Sequence, residues 1–386
     1  MLQKLIRNYD YSLLVTMLLL IAFGLIMVYS ASSVWAVTVL QKTPSYLFVR
    51  QVAWSLIALP IAAAGLLIPY QVYKLVVKLL IFFSVLLLVM VYLFGHSANN
   101  AQSWFALGPF NIQPAEMVKI VLIFYLASVY SNKQKAIDDF KTSVLPPLII
   151  VMLFFVLVAK QPDMGTAMIL MAVSAIMVVC SGLRFRHLLF LVTVSTVFLA
   201  AVFFRFLSDN QSGRFTAAYD PFSVADTAGH QLINSYIAIA SGGLTGKGLG
   251  NGIEKAGFLP EPHTDFIIAV IGEELGILGI LFVVLCLAYL VLKGFVIAIR
   301  CKDVFGSLLA IGISSLLAIQ TFVNLGAASG LVPVTGVTLP FISYGGSSLI
   351  VMIFAVSVLI NISAFVNMKR SNNRQEGKRE NVTSAY

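Results

Sequence analysis

Apolar runs of about twenty residues follow one another along almost the whole chain, each long enough to cross the hydrocarbon of a bilayer as a helix. Spans are predicted near 12–31, 48–68, 75–95, 114–131, 144–160, 165–182, 188–206, 266–290, 304–325 and 347–367. Only 11% of the residues are charged and 59% are hydrophobic. That is too few charges to cover a water-facing surface, where about 25% is usual. The solvent of this chain is lipid. The predicted fold is an all-α polytopic membrane protein of about ten transmembrane helices, read as one domain over 1–368.

The net charge of +9 does not point to nucleic acid. Lys4, Arg7, Lys133, Lys135, Lys141, Arg184, Arg186, Lys293, Arg300 and Lys302 lie in the N-terminus and in alternate short loops, and five more cations follow Asn367. This is the positive-inside pattern, which places both termini in the cytoplasm. The loops 32–47, 96–113, 207–265 and 326–346 then face outward. The basic start before the first span resembles a signal peptide, but the span's length and the spans after it favour a retained helix. Cys180, Cys286 and Cys301 give neither a disulfide framework nor a metal-binding spacing. The polar 369–386 tail reads as disordered.

Six of the sixteen carboxylates (Asp209, Asp220, Asp226, Glu254, Glu261 and Asp265) fall in the outer loop 207–265. A loop so long is usually functional or disordered. Here Arg214, a Tyr219-Asp220-Pro221 turn, a helical-looking run from His230 to Ser241 and a glycine cluster argue for a folded cap. The glycine cluster, Gly242 to Gly252, fails as a P-loop, since no glycine stands five before Gly246 and Gly248 follows Lys247 where Ser or Thr is needed. It is either a turn with special backbone angles or a nest of amides that, with Lys247, cradles a phosphate.

Glu261, His263 and Asp265 crowd the mouth of the eighth span. Asp265 alone would serve as a helix cap, but three such groups within five residues suggest chemistry. A carboxylate desolvated at the lipid–water boundary suits a general base. Glu273 and Glu274 lie deeper, where an acid is either functional or paired within the bundle. Glu116 and Lys119 share a face of the fourth span, either as an internal pair or with Lys119 turned toward an anionic headgroup. Trp104 is an interfacial anchor or a sugar-stacking platform. Lys160 and Asp163 form a polar turn before the sixth span. The Gly-, Pro-, Ser- and Thr-rich stretch 330–348, which includes Ser343, reads as a re-entrant cavity wall, with an ordinary surface loop as the alternative.

Together these motifs resemble the SEDS family (shape, elongation, division and sporulation) from the first span to the last. Ser103-Trp104, Gln113 through Lys119, Gln161 through Ala167, the glycine cluster, Pro260 through Asp265, Gly272 through Gly276 and Pro333 through Ser348 carry the likeness. Ala115 and Pro262 depart from it without removing a reactive group. The run Thr335–Gly346 and the opening Tyr9-Asp10-Tyr11-Ser12 are closer to the division branch than to elongation, with sporulation members also similar.

The resemblance implies a glycosyltransferase that polymerises lipid II at the outer face of the bacterial cell membrane, with Asp265 at the position of the family's essential aspartate. It also implies a class B penicillin-binding protein as partner, alongside other division membrane proteins. On that reading Asp265 is the base, with Glu261 and His263 beside it. Lys119, Lys160, Arg214 and Lys247 are candidates to bind the pyrophosphate, and Trp104, Glu116, Asp163 and Ser343 complete the expected substrate contacts. No covalently bound cofactor is expected, and Mg²⁺ or Mn²⁺ can share the charge of the leaving group. A lipid II flippase and a non-catalytic scaffold are the competing readings.

Overall fold

In the computed structural model, residues 2–98, 101–107, 110–134, 139–184, 186–187, 189, 193, 209–227 and 229–383 are described. The elements run α1 (Leu2–Arg7), α2 (Tyr11–Thr38), α3 (Tyr46–Leu67), α4 (Gln71–Phe94), then strands β1 (His96–Ala98), β2 (Ala101–Leu107) and β3 (Phe110–Ile112). There follow α5 (Pro114–Asn132), α6 (Leu145–Ala159), α7 (Met164–Cys180), α8 (Asp209–Tyr219), α9 (His230–Gly242), α10 (Ile267–Arg300), α11 (Val304–Ala328) and α12 (Gly346–Thr383).

Eight helical segments are long and apolar enough to cross a membrane, α6 counting together with the π-helical turn before it as Phe140–Ala159, and the 17-residue α7 is a shorter apolar helix. The predicted span 188–206 lies outside the described residues except for 189 and 193. The α5 and α12 windows are each 78% buried against 22% for α4, which puts α5 and α12 at the centre of the bundle and α4 at its lipid-facing edge.

One element differs from expectation. The loop 96–113 is not free of strands: β1, β2 and β3 form an antiparallel sheet in sequence order. Ser103 fastens it to the bundle by donating from Oγ to the carbonyl of Gln161 (3.0 Å). At the other end of the chain α12 runs on from the bundle through Thr383. Extending a helix that is already nucleated adds one hydrogen bond per residue without the cost of a new nucleus.

The glycine cluster explains how α10 is built. Gly276 adopts φ 67° and ψ −163° inside that helix, a conformation open essentially to glycine alone. The broken turn loses backbone hydrogen bonds at membrane depth, and every such group must find another partner. The segment after α9 supplies them. Lys247 N and Gly248 N donate to the carbonyls of Glu273 (3.0 Å) and Glu274 (2.9 Å), while Ile277 N donates to Gly243 O (3.0 Å).

A Cβ on Gly276 would lie 2.4 Å from the Leu244 carbonyl. Gly276→Ala is therefore expected to destabilise the protein by more than about 1 kcal/mol. Thermal unfolding in detergent would show this as a lower midpoint and reduced yield; an unchanged midpoint would show that the break is not needed.

Residues 330–345 carry no helix, yet Leu339, Phe341, Ile342 and Ser343 are buried. This segment reaches as deep as the middle of α2, where a Cβ on Gly24 would lie 2.5 Å from the Phe341 carbonyl. Its polar backbone is matched by amide side chains from the surrounding helices. Asn324 Nδ2 donates to Val337 O (2.8 Å), Gln320 Nε2 to Thr338 O (3.0 Å), and Gln51 Nε2 to Ser343 O (3.3 Å). The predicted re-entrant wall is thus held by three amides from α3 and α11.

Candidate active site

The outward-assigned ends of α2, α3, α10, α11 and α12 converge around the Pro260–Asp265 turn. Glu261 holds φ 50°, an uncommon conformation for a residue with a Cβ. The turn is stitched locally by Thr264 Oγ1, which donates to Glu261 Oε2 (3.1 Å). It is also stitched to the re-entrant segment: Tyr344 N donates to His263 O (2.8 Å) and Ser343 Oγ to Thr264 O (2.6 Å). Asn324 Nδ2 adds a bond to Asp265 O (3.0 Å). The backbone on both sides of Asp265 is therefore fixed by elements far away in sequence.

Among the described residues no hydrogen bond engages the Asp265 carboxylate, whose Oδ2 would lie 3.8 Å from a Cβ added at Gly336. Burial pushes its pKa up to about 7; the negative charge of Glu261 adds to the rise and the Arg214 guanidinium opposes it. Burial also raises Glu261, against the pull of Thr264. Arg214 is exposed on α8 and donates from Nη1 to Val334 O (3.3 Å), which places a cation at the rim of the re-entrant segment.

His263 is buried between the rings of Trp35 (4.7 Å between centroids) and Tyr344 (5.6 Å), and burial pushes its pKa down to about 4. It is neutral at physiological pH. Asp265, Glu261, His263, Arg214 and Ser343 thus form one constellation: a carboxylate poised to exchange a proton, a nearby cation and a rigid support.

The other predicted site residues fall elsewhere. Lys119 is 2% exposed, and its Nζ donates to Glu116 Oε1 (2.8 Å) and Gln320 Oε1 (2.9 Å). The Glu116–Lys119 pair is internal. Asp163 caps α7 through Thr166 N (3.0 Å) and accepts from Gln113 Nε2 (2.7 Å).

Lys247 is not free to meet a phosphate, since its Nζ bonds Glu273 Oε1 at 2.7 Å. The amides around it do cradle an anion, but the anion belongs to the protein. Ile253 N and Glu254 N donate to the Glu273 carboxylate (2.8 and 3.2 Å), and Gly250 N donates to Glu274 (3.1 Å). Lys255 completes this nest, bonding Glu274 Oε1 at 2.5 Å and Ser30 Oγ at 2.9 Å. Trp104 is half-buried on β2 and Lys160 is exposed at the end of α6; no described contact joins either to Asp265.

Sequence reasoning missed Asn324, Gln320, Gln51 and Trp35. Gln320 and Asn324 stand one helical turn apart on α11 and Gln51 follows Arg50 on α3; only the fold brings these residues to the turn. Among the described residues no three His, Cys, Asp or Glu side chains are grouped to hold a metal ion.

Residues 10–368 match the family described as Cell cycle protein, that of FtsW, RodA and SpoVE. The chain is 46% identical to the probable peptidoglycan glycosyltransferase FtsW of Bacillus subtilis, over 97% of this chain and 96% of that one. It is 39% identical to stage V sporulation protein E of the same organism, over 92% of this chain and 97% of that one.

Among solved structures it is similar to a chain of a peptidoglycan synthase complex in which polymerization and crosslinking are coordinated. The TM-score is 0.76 at 26% identity, covering 93% of this chain and 98% of that one. It is also similar to the rod shape determining protein RodA of Thermus thermophilus, with a TM-score of 0.66 at 27% identity over 92% of this chain and 96% of that one.

Proposed function

We infer that this chain, which belongs to the FtsW, RodA and SpoVE family of polytopic membrane proteins, is a peptidoglycan glycosyltransferase. Its substrate is lipid II, polymerised at the outer membrane face during septal wall synthesis. The observation that carries the mechanism is the Asp265 carboxylate, held at a fixed turn with a pKa pushed up to about 7 and no described hydrogen bond on its oxygens. A scaffold assigns no task to such a group, and the likeness to peptidoglycan glycosyltransferases favours this reading over a flippase, in which a protonatable carboxylate would also have a task.

The reaction joins the C4 hydroxyl of an acceptor GlcNAc to C1 of a donor MurNAc and releases undecaprenyl pyrophosphate. Asp265 accepts the hydroxyl proton as the oxygen attacks C1. The bond to the pyrophosphate breaks on the opposite face, so an α-linked donor gives a β-linked product. Since pyrophosphate leaves as a stable anion, no second carboxylate is needed to protonate it, unlike the leaving group in inverting hydrolases. Arg214 stabilises the developing charge. A divalent ion, where one takes part, arrives on the substrate's pyrophosphate, as Mg²⁺ commonly does.

The crosslinking partner is a class B penicillin-binding protein, a reading supported by the likeness to the synthase complex. The direct test incubates purified protein with lipid II, alone and with that partner, with moenomycin present to silence class A polymerases. Glycan strands support the assignment. Their absence from folded, partner-bound protein, together with movement of lipid II across vesicles holding it, would replace it with a transporter.

The same assay has a predicted pH dependence. A base must be deprotonated to act, so turnover should rise with pH around a midpoint near 7. Glu261 raises the Asp265 pKa by charge repulsion. Glu261→Gln should therefore move the midpoint to lower pH, and Arg214→Gln, which removes the opposing cation, should move it higher. A midpoint unmoved by either change would dissociate the titration from Asp265.

A further inference from the structure

The opposite end of the bundle carries a cleft that the polymerase reaction does not use. It has a volume of about 930 Å³ and lies between the α3–α4 turn, the α10–α11 turn and the Phe365–Arg370 stretch of α12. That volume falls in the range of about 300–1,000 Å³ typical of small-molecule sites.

The floor is aromatic and rigid. The Tyr70 ring stacks near Phe305 (6.1 Å) and meets Phe365 edge-on (5.4 Å). Tyr70 N donates to Asn361 Oδ1 (3.1 Å) and Tyr70 Oη to Asp303 Oδ2 (3.0 Å), so both ends of the residue are anchored. The rim is cationic: Arg300 and Lys302 rise from one side, Lys369 and Arg370 from the other, all exposed. Among the described side chains none of these four has an ion-pair partner, whereas nearby Lys293 pairs with Asp10 at 3.1 Å. The one acid in the lining, Asp303, is already committed to Tyr70 and to the Gly306 amide (3.0 Å).

The positive-inside pattern accounts for cations in cytoplasmic loops. It does not require four of them, from segments some seventy residues apart in sequence, to rim a single preformed hollow with an aromatic floor. Half-buried Phe365 and Val366 line the same wall on the bundle side. A ligand matching this surface has a phosphate ester at the rim and hydrocarbon below it.

We propose that this cleft binds the phosphate-bearing headgroup of an anionic phospholipid of the cytoplasmic leaflet. Basic pockets between helices on that side of a membrane are suited to such headgroups. The helices that build the cleft, α10, α11 and α12, carry at their other ends the Asp265 turn, Asn324 and the re-entrant segment. A bound lipid would brace the scaffold of the active site from the far side.

Native mass spectrometry of protein exchanged into defined phosphatidylglycerol or phosphatidylcholine mixtures tests this. Wild type is expected to retain phosphatidylglycerol in preference to phosphatidylcholine. The variant R300Q/K302Q/K369Q/R370Q should lose that retention about tenfold or more. A charge-matched control, K133Q/K141Q/R184Q with K293Q, removes four cytoplasmic cations outside the cleft and should retain the lipid. Unchanged thermal unfolding of the cleft variant in phosphatidylcholine confirms that its fold is intact.

Equal loss in both variants would reduce the effect to net charge and overturn the proposal. So would equal retention of the two lipids by wild type. Inorganic pyrophosphate is the soluble arm: stabilisation of wild type by pyrophosphate alone, with none from phosphatidylglycerol, would assign the cleft to a free phosphate instead.

Discussion

Asp265→Ala is expected to abolish lipid II polymerisation, and Asp265→Asn to do nearly the same, while neither variant is less stable than wild type at pH 8. A positioned general base typically contributes about 10²–10⁴-fold, and at this turn no described carboxylate other than Glu261 is in reach to substitute. Asparagine preserves shape and removes only the ability to accept a proton, so its failure would isolate proton transfer from packing.

The stability half follows from linkage. The Asp265 pKa stands near 7 in the fold, above the ordinary carboxylate value of 3.8. The folded state thus holds a proton that the unfolded chain has released between those pH values. Stability falls as pH rises from about 4 to 7 and stays reduced above it. Asp265→Asn removes that cost, so its advantage over wild type should be small near pH 4 and full above pH 7. Thermal unfolding midpoints at pH 5 and pH 8 measure it. An inactive variant that is also less stable at pH 8 would mean that the carboxylate has a structural role, and the base would have to be sought elsewhere.

How much of this was legible in the sequence depends on how local each cause is. The spans were readable because lipid demands an unbroken apolar run from every crossing helix. The Glu261–Asp265 cluster was readable because its members are neighbours in the chain.

The glycine cluster, which the sequence leaves open between a special turn and a phosphate nest, folds with glycines at positive φ and amides that hold two of the protein's own carboxylates. Nothing in Gly242–Gly252 shows that Glu273 and Glu274, twenty residues on, fold back into it across the Gly276 break. Gln320, Asn324 and Gln51 are the clearest omissions. Each is an amide in a mostly apolar helix, Gln320 and Asn324 one turn apart on the same one, and its purpose exists only once the re-entrant backbone lies beside it. The 96–112 sheet escaped because its strands are three, seven and three residues long, too short for a period-2 pattern to stand out.

Lys119→Met is expected to be the most destabilising single substitution at the outer end of the bundle. Lys119 lies in the nine-tenths-buried interior with Glu116 as its counter-ion and Gln320 as its second acceptor. Removing one member of a buried pair strands the other charge without solvent, at a cost of about 3–5 kcal/mol. The stranded Glu116 would then draw water into the core.

The effect should also travel. Gln320 Oε1 loses its donor, while its Nε2 holds Thr338 O and Ser348 Oγ (3.2 Å) in the re-entrant wall. Polymerisation should therefore fall even in the fraction that stays folded. The double variant Lys119→Met with Glu116→Gln leaves no buried charge and should recover much of the thermal stability, since a buried pair replaced as a whole is often close to neutral. Activity of the double variant then separates two roles. Recovery with stability would make the pair a structural strut for the wall behind Asp265. Stability restored without activity would show that a charge of this pair acts on the substrate, and the bonds seen here would describe its resting arrangement.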